Sequence, residues 1–204
     1  MTSLENNHRA LSFLALGDSY TIGEAVAENE RWPNQLATEL SKRGLPVAKP
    51  VIIATTGWRT DELKNAIEIA NLKPEFDFVS LLIGVNNQYQ GKPAEEYAIE
   101  FEELLRTAIR LAQGDNQQVF VLSIPDYGFT PFGSEKKESI SKQIDEFNSI
   151  NKKIAEAYRV DYYNITDITR QGLDDPSLIA SDGLHPSGKM YTLWVQRLLQ
   201  GFVG

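Results

Sequence analysis

The strongest constraint on the fold is an alternation of short apolar runs with longer segments of helical periodicity. The runs are predicted to be buried strands because apolar residues, many of them β-branched, fill them almost without interruption; they cover residues 10–16, 47–54, 76–83, 119–124 and 160–163. Helices are predicted at residues 32–43, 61–71 (capped by Thr60), 93–113, 135–158 and from the stretch after 188 to about 199. Strands and helices that alternate through short connections predict an α/β fold whose parallel sheet is covered on both faces.

Length and composition exclude several classes of protein. A chain of 204 residues without linkers or repeats is expected to form a single domain over residues 1–204. The net charge of −8, with no long basic run, argues against a nucleic-acid partner. The chain has no cysteine, and its two histidines are His8 and His185, so neither a thiolate site nor a histidine-rich zinc site is expected.

The first residues bear on where the protein is located. Residues 1–9 lack the basic and apolar regions of a signal peptide, and the longest apolar stretches are far shorter than a membrane span. If Met1 is the native start, we expect a cytoplasmic protein with no membrane span. A secreted chain from which the signal peptide had been removed would look the same in this respect.

The turn after the first predicted strand presents a serine. In an open α/β sheet, ligands bind just beyond the carboxyl ends of the strands, and Gly17 allows the tight turn that this position needs. Ser19 therefore stands where a nucleophile could act. The alternative is an ordinary strand-to-helix turn in which Asp18 or Ser19 caps the helix.

Further residues complete a set suited to acyl transfer. Asp182 and His185 are three residues apart and can lie side by side on one turn, with the second ring nitrogen facing Ser19 as general base. Backbone N–H groups of Ser19 and Gly57 and the side chain of Asn86 could stabilise an oxyanion. Taken singly, each is better explained by a solvated histidine, a helix cap or a turn residue. Their joint occurrence favours catalysis.

Four blocks of the chain, in order, carry a resemblance to a known family. They are Gly17-Asp18-Ser19, Gly57, Gly84-Val85-Asn86 and Asp182-x-x-His185, and together they resemble the SGNH hydrolases, also called the GDSL esterase/lipase family.

The resemblance implies a three-layer α/β/α, flavodoxin-like fold with a five-stranded parallel sheet, and hydrolysis of carboxylic esters without a metal or cofactor. It makes Ser19 the nucleophile, His185 and Asp182 the other triad members, and Gly57 and Asn86 oxyanion donors. Two positions depart from the family pattern. Tyr20 replaces the leucine beside the nucleophile. Asn87 replaces an aspartate next to Asn86, so the support of that loop is expected to differ.

Aromatic residues near the predicted site suggest a substrate class. They could form an apolar acyl pocket or stack against a sugar, and they could equally be core or subunit contacts; they are Trp58, Tyr89, Tyr127, Phe129 and Phe132. Because no large lid insertion is evident, we expect a small-molecule ester with a short acyl chain, or an acetylated carbohydrate. The competing hypothesis is a non-catalytic domain of the same fold that binds a carbohydrate or a protein.

Overall fold

A parallel sheet forms the centre of the computed structural model, which describes residues 9–202. Its strands are β1 (Phe13–Gly17), β2 (Val51–Ala54), β3 (Phe78–Leu82), β4 (Val119–Leu122) and β5 (Asp161–Tyr163). Within the described residues they form one sheet in the order β2-β1-β3-β4-β5, with every neighbouring pair parallel. The predicted five-stranded parallel sheet is confirmed.

Helices cover the sheet on both sides. They are α1 (Ser19–Ile22), α2 (Trp32–Lys42), α3 (Thr60–Ala70), α4 (Val85–Tyr89), α5 (Ala94–Leu111), α6 (Lys137–Ala157), α7 (Thr166–Thr169) and α8 (Gly188–Leu198). Helix α2 packs against α8, and α5 packs against α3 and α6. Every residue of β1 and β3 is buried, and successive side chains of a strand point to opposite faces, so both faces are covered. The result is the three-layer α/β/α fold that the resemblance implies.

Four of the predicted strands begin before the observed ones, and the difference is largest for β1 and β2. The Asp77 carboxylate accepts the backbone N–H of Ser12 at 2.7 Å, a group that a strand partner would otherwise take, and β1 begins only at the next residue. On the other side, Leu11 and Val47 form a single isolated bridge. Pro50 has no N–H to donate, so β2 starts after it.

Two local predictions near the site are wrong. Thr60 does not cap α3 but is its first residue, because its hydroxyl bonds to Asn87 and Glu100 instead of to the helix. Between the predicted strand at 76–83 and the predicted helix at 93–113 no helix is expected, but the stretch around Gln88 lies in helix α4, where the Gln88 N–H donates to the Gly84 carbonyl at 3.1 Å.

The location predicted for the protein rests on residues that the structure does not cover. Met1 and His8 both lie outside the described residues. Between residues 9 and 202, no helix combines the length and the apolar character that crossing a membrane requires.

Candidate active site

The turn after β1 presents Ser19 at the amino end of α1. Asp18 is the N-cap of this helix, and its carboxylate accepts the backbone N–H of Tyr20 at 3.0 Å. Gly17 allows the close approach of β3, because a Cβ at this position would stand 2.6 Å from the Leu82 carbonyl oxygen. The cap and the presented serine, which the sequence offers as alternatives, therefore coexist in one turn.

Burial raises the pKa of Asp18, the residue next to Ser19. Asp18 is 1% exposed, and desolvation raises the pKa of its carboxyl group to about 7, although hydrogen bonds from the backbone N–H groups of Tyr20 and Asp18 act in the opposite direction. A carboxyl group that titrates near neutral pH thus lies directly beside the candidate nucleophile.

Asp182 and His185 form a hydrogen-bonded pair on the turn before α8. Nδ1 of His185 lies 2.6 Å from Oδ2 of Asp182. The other carboxylate oxygen accepts the backbone N–H groups of Leu184 at 2.9 Å and of His185 at 3.0 Å. Because Ser187 caps α8, Asp182 does not have that role.

The ionisation of Asp182 follows from these contacts. Burial alone would raise the pKa of the Asp182 carboxyl, but hydrogen bonds from the His185 ring and from two backbone N–H groups outweigh it and lower the pKa. An ionised carboxylate can only accept, so Nδ1 of His185 carries a proton and Nε2 is free to accept another.

The two candidate oxyanion donors follow β2 and β3. Gly57 has a φ of +86°, a conformation that favours glycine, and a Cβ there would meet nothing within 4 Å. Asn86 lies in the first turn of α4, and its Nδ2 donates to the Trp58 carbonyl at 2.9 Å. Since an amide nitrogen has two hydrogens, one remains available to a ligand.

One cavity of about 180 Å³ brings the predicted polar residues together. Ser19, His185, Gly57 and Asn86 all line it, and Asp182 lies behind the histidine. The complete lining is Ser19, Tyr20, Thr56, Gly57, Val85, Asn86, Tyr89, Tyr127, Phe132, Leu184 and His185. The arrangement supplies a hydroxyl, an oriented imidazole and hydrogen-bond donors to one small space.

Three of the five predicted aromatic residues line this cavity. The ring centroids of Tyr89, Tyr127 and Phe132 lie 6.0 to 6.3 Å apart, and they form one aromatic wall. Trp58 and Phe129 do not line the cavity. Trp58 contributes its carbonyl to the Asn86 contact, and the Phe129 ring lies 5.0 Å from Nζ of Lys137.

Sequence reasoning did not identify several residues of the cavity wall. Thr56, Val85 and Leu184 each adjoin a predicted site residue in the chain, and that adjacency is the signal that could have found them. The ring of Tyr20 lies 5.5 Å from that of His185, so it packs beside the histidine. Between residues 9 and 202, no group of three or more His, Cys, Asp or Glu side chains is arranged to hold a metal ion.

Comparisons with known proteins relate most of the chain to a family of hydrolases. A sequence model of the GDSL-like lipase/acylhydrolase family matches residues 15–193. A comparison with curated protein sequences finds no match.

Solved structures with the same fold cover nearly the full chain. TesA has a TM-score of 0.73 at 14% identity, covering 94% of this chain and 98% of its own. The psychrotrophic esterase EstA from Pseudoalteromonas sp. has a TM-score of 0.67 at 16% identity, with 94% and 96% covered. Axe2, an acetylxylan esterase from Geobacillus stearothermophilus, has a TM-score of 0.71 at 19% identity, with 95% and 94% covered. At these identities the likeness concerns the fold.

Proposed function

Because the chain belongs to the GDSL-like lipase/acylhydrolase family, as its four sequence blocks indicate, we propose that it is a serine esterase acting on carboxylic esters. The proposal treats residues 1–204 as one catalytic domain. The observation that carries it is the 2.6 Å contact between His185 Nδ1 and Asp182 Oδ2. The same histidine lines the cavity that Ser19 lines.

The proposed reaction proceeds through an acyl-enzyme. Ser19 Oγ attacks the ester carbonyl carbon while Nε2 of His185 takes the hydroxyl proton, and the C–O bond to the alcohol then breaks as the histidine protonates the leaving oxygen. Water then attacks the acyl carbon as the same nitrogen takes its proton; the C–O bond to Ser19 Oγ breaks, the histidine returns the proton to Oγ, and the acid is released. Asp182 holds the ring and stabilises the imidazolium in both steps.

The charge that develops on the carbonyl oxygen needs donors that are already in place. The backbone N–H groups of Ser19 and Gly57 and the free amide hydrogen of Asn86 are proposed to meet it. Both Gly57 and Asn86 line the cavity beside Ser19, which supports this assignment.

The cavity supports a short acyl group. Its volume of about 180 Å³ is below the ~300 Å³ at which pockets for larger ligands begin. Tyr89 and Phe132 are 59% and 55% exposed at its edge, where they could stack on the alcohol part of the ester, including a sugar ring. Short-chain or acetylated-carbohydrate esters are therefore the proposed substrates; the neighbour Axe2 is an acetylxylan esterase.

The first test needs no knowledge of the substrate. A small fluorophosphonate is incubated with the wild type, Ser19→Ala, His185→Ala and the matched control Ser139→Ala, which removes an exposed hydroxyl on α6. Intact-protein mass should show one adduct on the wild type and the control and none on the other two. A wild type without adduct would overturn the esterase proposal and favour a binding domain.

A second test addresses the acyl group. Rates on p-nitrophenyl esters from acetate to palmitate should be highest for the shortest chains, because the cavity has no room for a long one. Acetylated oligosaccharides test whether acetylated carbohydrates are substrates, and the release of free acetate is the quantity measured. Rates that rise steadily toward palmitate would contradict the proposed substrate class.

A further inference from the structure

The two candidate oxyanion donors come from strands that do not touch. Gly57 follows β2 and Asn86 follows β3, and β1 lies between them in the sheet. Strands in a sheet are about 4.8 Å apart, so the ends of β2 and β3 are separated by about 10 Å. No strand pairing joins β2 to β3. β1 pairs with both strands and holds their ends, but each donor lies in a loop beyond its strand. Contacts between the two loops therefore set how the donors are placed relative to each other.

Two neighbouring asparagines make those contacts. Asn86 Nδ2 donates to the Trp58 carbonyl at 2.9 Å. Asn87 Oδ1 accepts the Thr60 backbone N–H at 3.1 Å, and Asn87 Nδ2 donates to Thr60 Oγ1 at 2.6 Å. Asn87 is 1% exposed and Thr60 is fully buried. The segment that contains Gly57 is thus tied to the segment that contains Asn86 at two successive residues.

The direction of each hydrogen bond at Thr60 is determined by the groups around it. A backbone N–H only donates, so the oxygen of the Asn87 amide must face it. Thr60 Oγ1 also contacts Oε2 of Glu100 on α5, and a carboxylate only accepts. The threonine hydrogen therefore goes to Glu100, and its oxygen accepts from Asn87. Position 87 needs one acceptor and one donor, which an asparagine has and an ionised aspartate lacks.

We propose that Asn87 is a positioning residue for the oxyanion donors, and that its amide is matched to Glu100 through the hydroxyl of Thr60. The inference rests on the proposed esterase function. It accounts for an asparagine, and not an aspartate, at position 87 of this chain. A carboxylate at position 87 would compete with Glu100 for the single hydroxyl hydrogen, in a buried position where an unsatisfied charge is costly.

Two substitutions together reverse the direction of the hydrogen bonds that run from residue 87 through the Thr60 hydroxyl to residue 100. They test whether the side chains at positions 87 and 100 are matched. Asn87→Asp should lower kcat at least roughly ten-fold with little change in KM, because the donors lose their alignment in the transition state. Glu100→Gln alone should be close to wild type, since its amide oxygen still accepts from Thr60. In the double variant the glutamine can donate to Thr60, whose hydroxyl then donates to the new carboxylate, so most of the kcat should return.

Controls separate positioning from general damage. Asn29→Asp adds the same charge at an exposed site and should leave kcat unchanged. Thr60→Ser keeps the hydroxyl and should retain activity, whereas Thr60→Val should lose it; this pair decides the matter if Asn87→Asp does not fold. Wild-type kcat in both Asn87→Asp and Thr60→Val, or a double variant no better than Asn87→Asp, would overturn the inference.

The failure of this inference and the failure of the esterase proposal are distinguishable. If the wild type neither reacts with fluorophosphonate nor hydrolyses esters, the esterase proposal fails and positioning of oxyanion donors fails with it. If the wild type reacts with fluorophosphonate and hydrolyses esters, and Asn87→Asp and Thr60→Val keep the wild-type kcat, only the role of Asn87 fails. Unfolding free energies of the wild type and the three variants in the Asn87–Glu100 cycle measure the polarity match independently of activity.

Discussion

The Asp182 carboxylate holds both the ring and the backbone of His185. One oxygen lies 2.6 Å from the ring Nδ1, and the other accepts the backbone N–H of the same histidine at 3.0 Å. The ring therefore has a fixed orientation as well as a fixed tautomer, with Nε2 free to accept a proton. We expect catalysis to depend on this tautomer more than on the position of the ring.

Replacing Asp182 with asparagine isolates the tautomer. In Asp182→Asn the amide oxygen can still accept the two backbone N–H groups, while its NH₂ group faces Nδ1 and moves the ring proton to Nε2. We expect kcat to fall by about 10⁴ on a p-nitrophenyl acetate assay, as such a change does in serine hydrolases. Asp174→Asn, at an exposed position, is the control. A loss smaller than ten-fold would argue against the triad.

Removal of the Asn86 amide should affect the transition state and leave substrate binding nearly intact. Asn86→Ala is expected to lower kcat by about 10² to 10³ with a small change in KM. It also removes the hydrogen bond to the Trp58 carbonyl, so about 1 kcal/mol of unfolding free energy should be lost. Steady-state kinetics and urea unfolding measure the two effects, with the exposed Asn29→Ala as reference. An unchanged kcat would remove Asn86 from the proposed oxyanion donors.

The segments that form strands could be predicted from sequence, whereas their ends could not. Apolar runs reveal which segments are buried, because burial depends on the side chains of the segment itself. The start of β1 depends instead on a side chain 65 residues away, since Asp77 takes the N–H of Ser12. No pattern within the run contains that information.

The same distinction applies to the candidate site. Ser19, Gly57 and Asn86 follow three parallel strands, and the carboxyl ends of such strands share one edge, so their meeting was predictable. The aromatic loop was harder to interpret. Tyr127 and Phe129 lie in one 3₁₀ turn, where residues two apart point in different directions, and only Tyr127 lines the cavity.

The exposed aromatic rings at the cavity edge should contribute to substrate binding. We expect Tyr89→Ala and Phe132→Ala to raise KM several-fold for acetyl esters with an aromatic or sugar alcohol, and to change kcat less, because the rings touch the alcohol part and not the reacting carbonyl. Both side chains are more than half exposed, so unfolding free energies should change by less than about 1 kcal/mol.

The size of the alcohol provides the internal comparison for this prediction. The effect on KM should disappear with methyl acetate, whose alcohol is too small to reach the rings. Ile69→Ala, at a 75% exposed apolar position on α3, should leave KM unchanged for both substrates. Equal changes in KM for small and large alcohols would indicate that the rings do not contact the leaving group.

The acid beside the nucleophile should make stability depend on pH. Burial raises the pKa of Asp18 from an ordinary value of 3.8 to about 7. Between these values the folded protein keeps a proton that the unfolded chain has released. The contribution of Asp18 to the unfolding free energy is therefore greatest below about pH 4 and declines as pH rises to about 7, by at most about 4 kcal/mol.

A variant without the titrating group measures this contribution by difference. Asp18→Asn retains an oxygen that can accept the Tyr20 N–H, so the cap of α1 is preserved. Urea unfolding at steps between pH 4.5 and 7.5 should show the wild type losing stability relative to Asp18→Asn, and Asp174→Asn, which is exposed, should follow the wild type. Because other carboxylates titrate identically in both proteins, only the difference between their curves reports on Asp18. Parallel curves for the wild type and Asp18→Asn would mean that this carboxyl is ionised throughout the range, and that its burial is compensated by its hydrogen bonds.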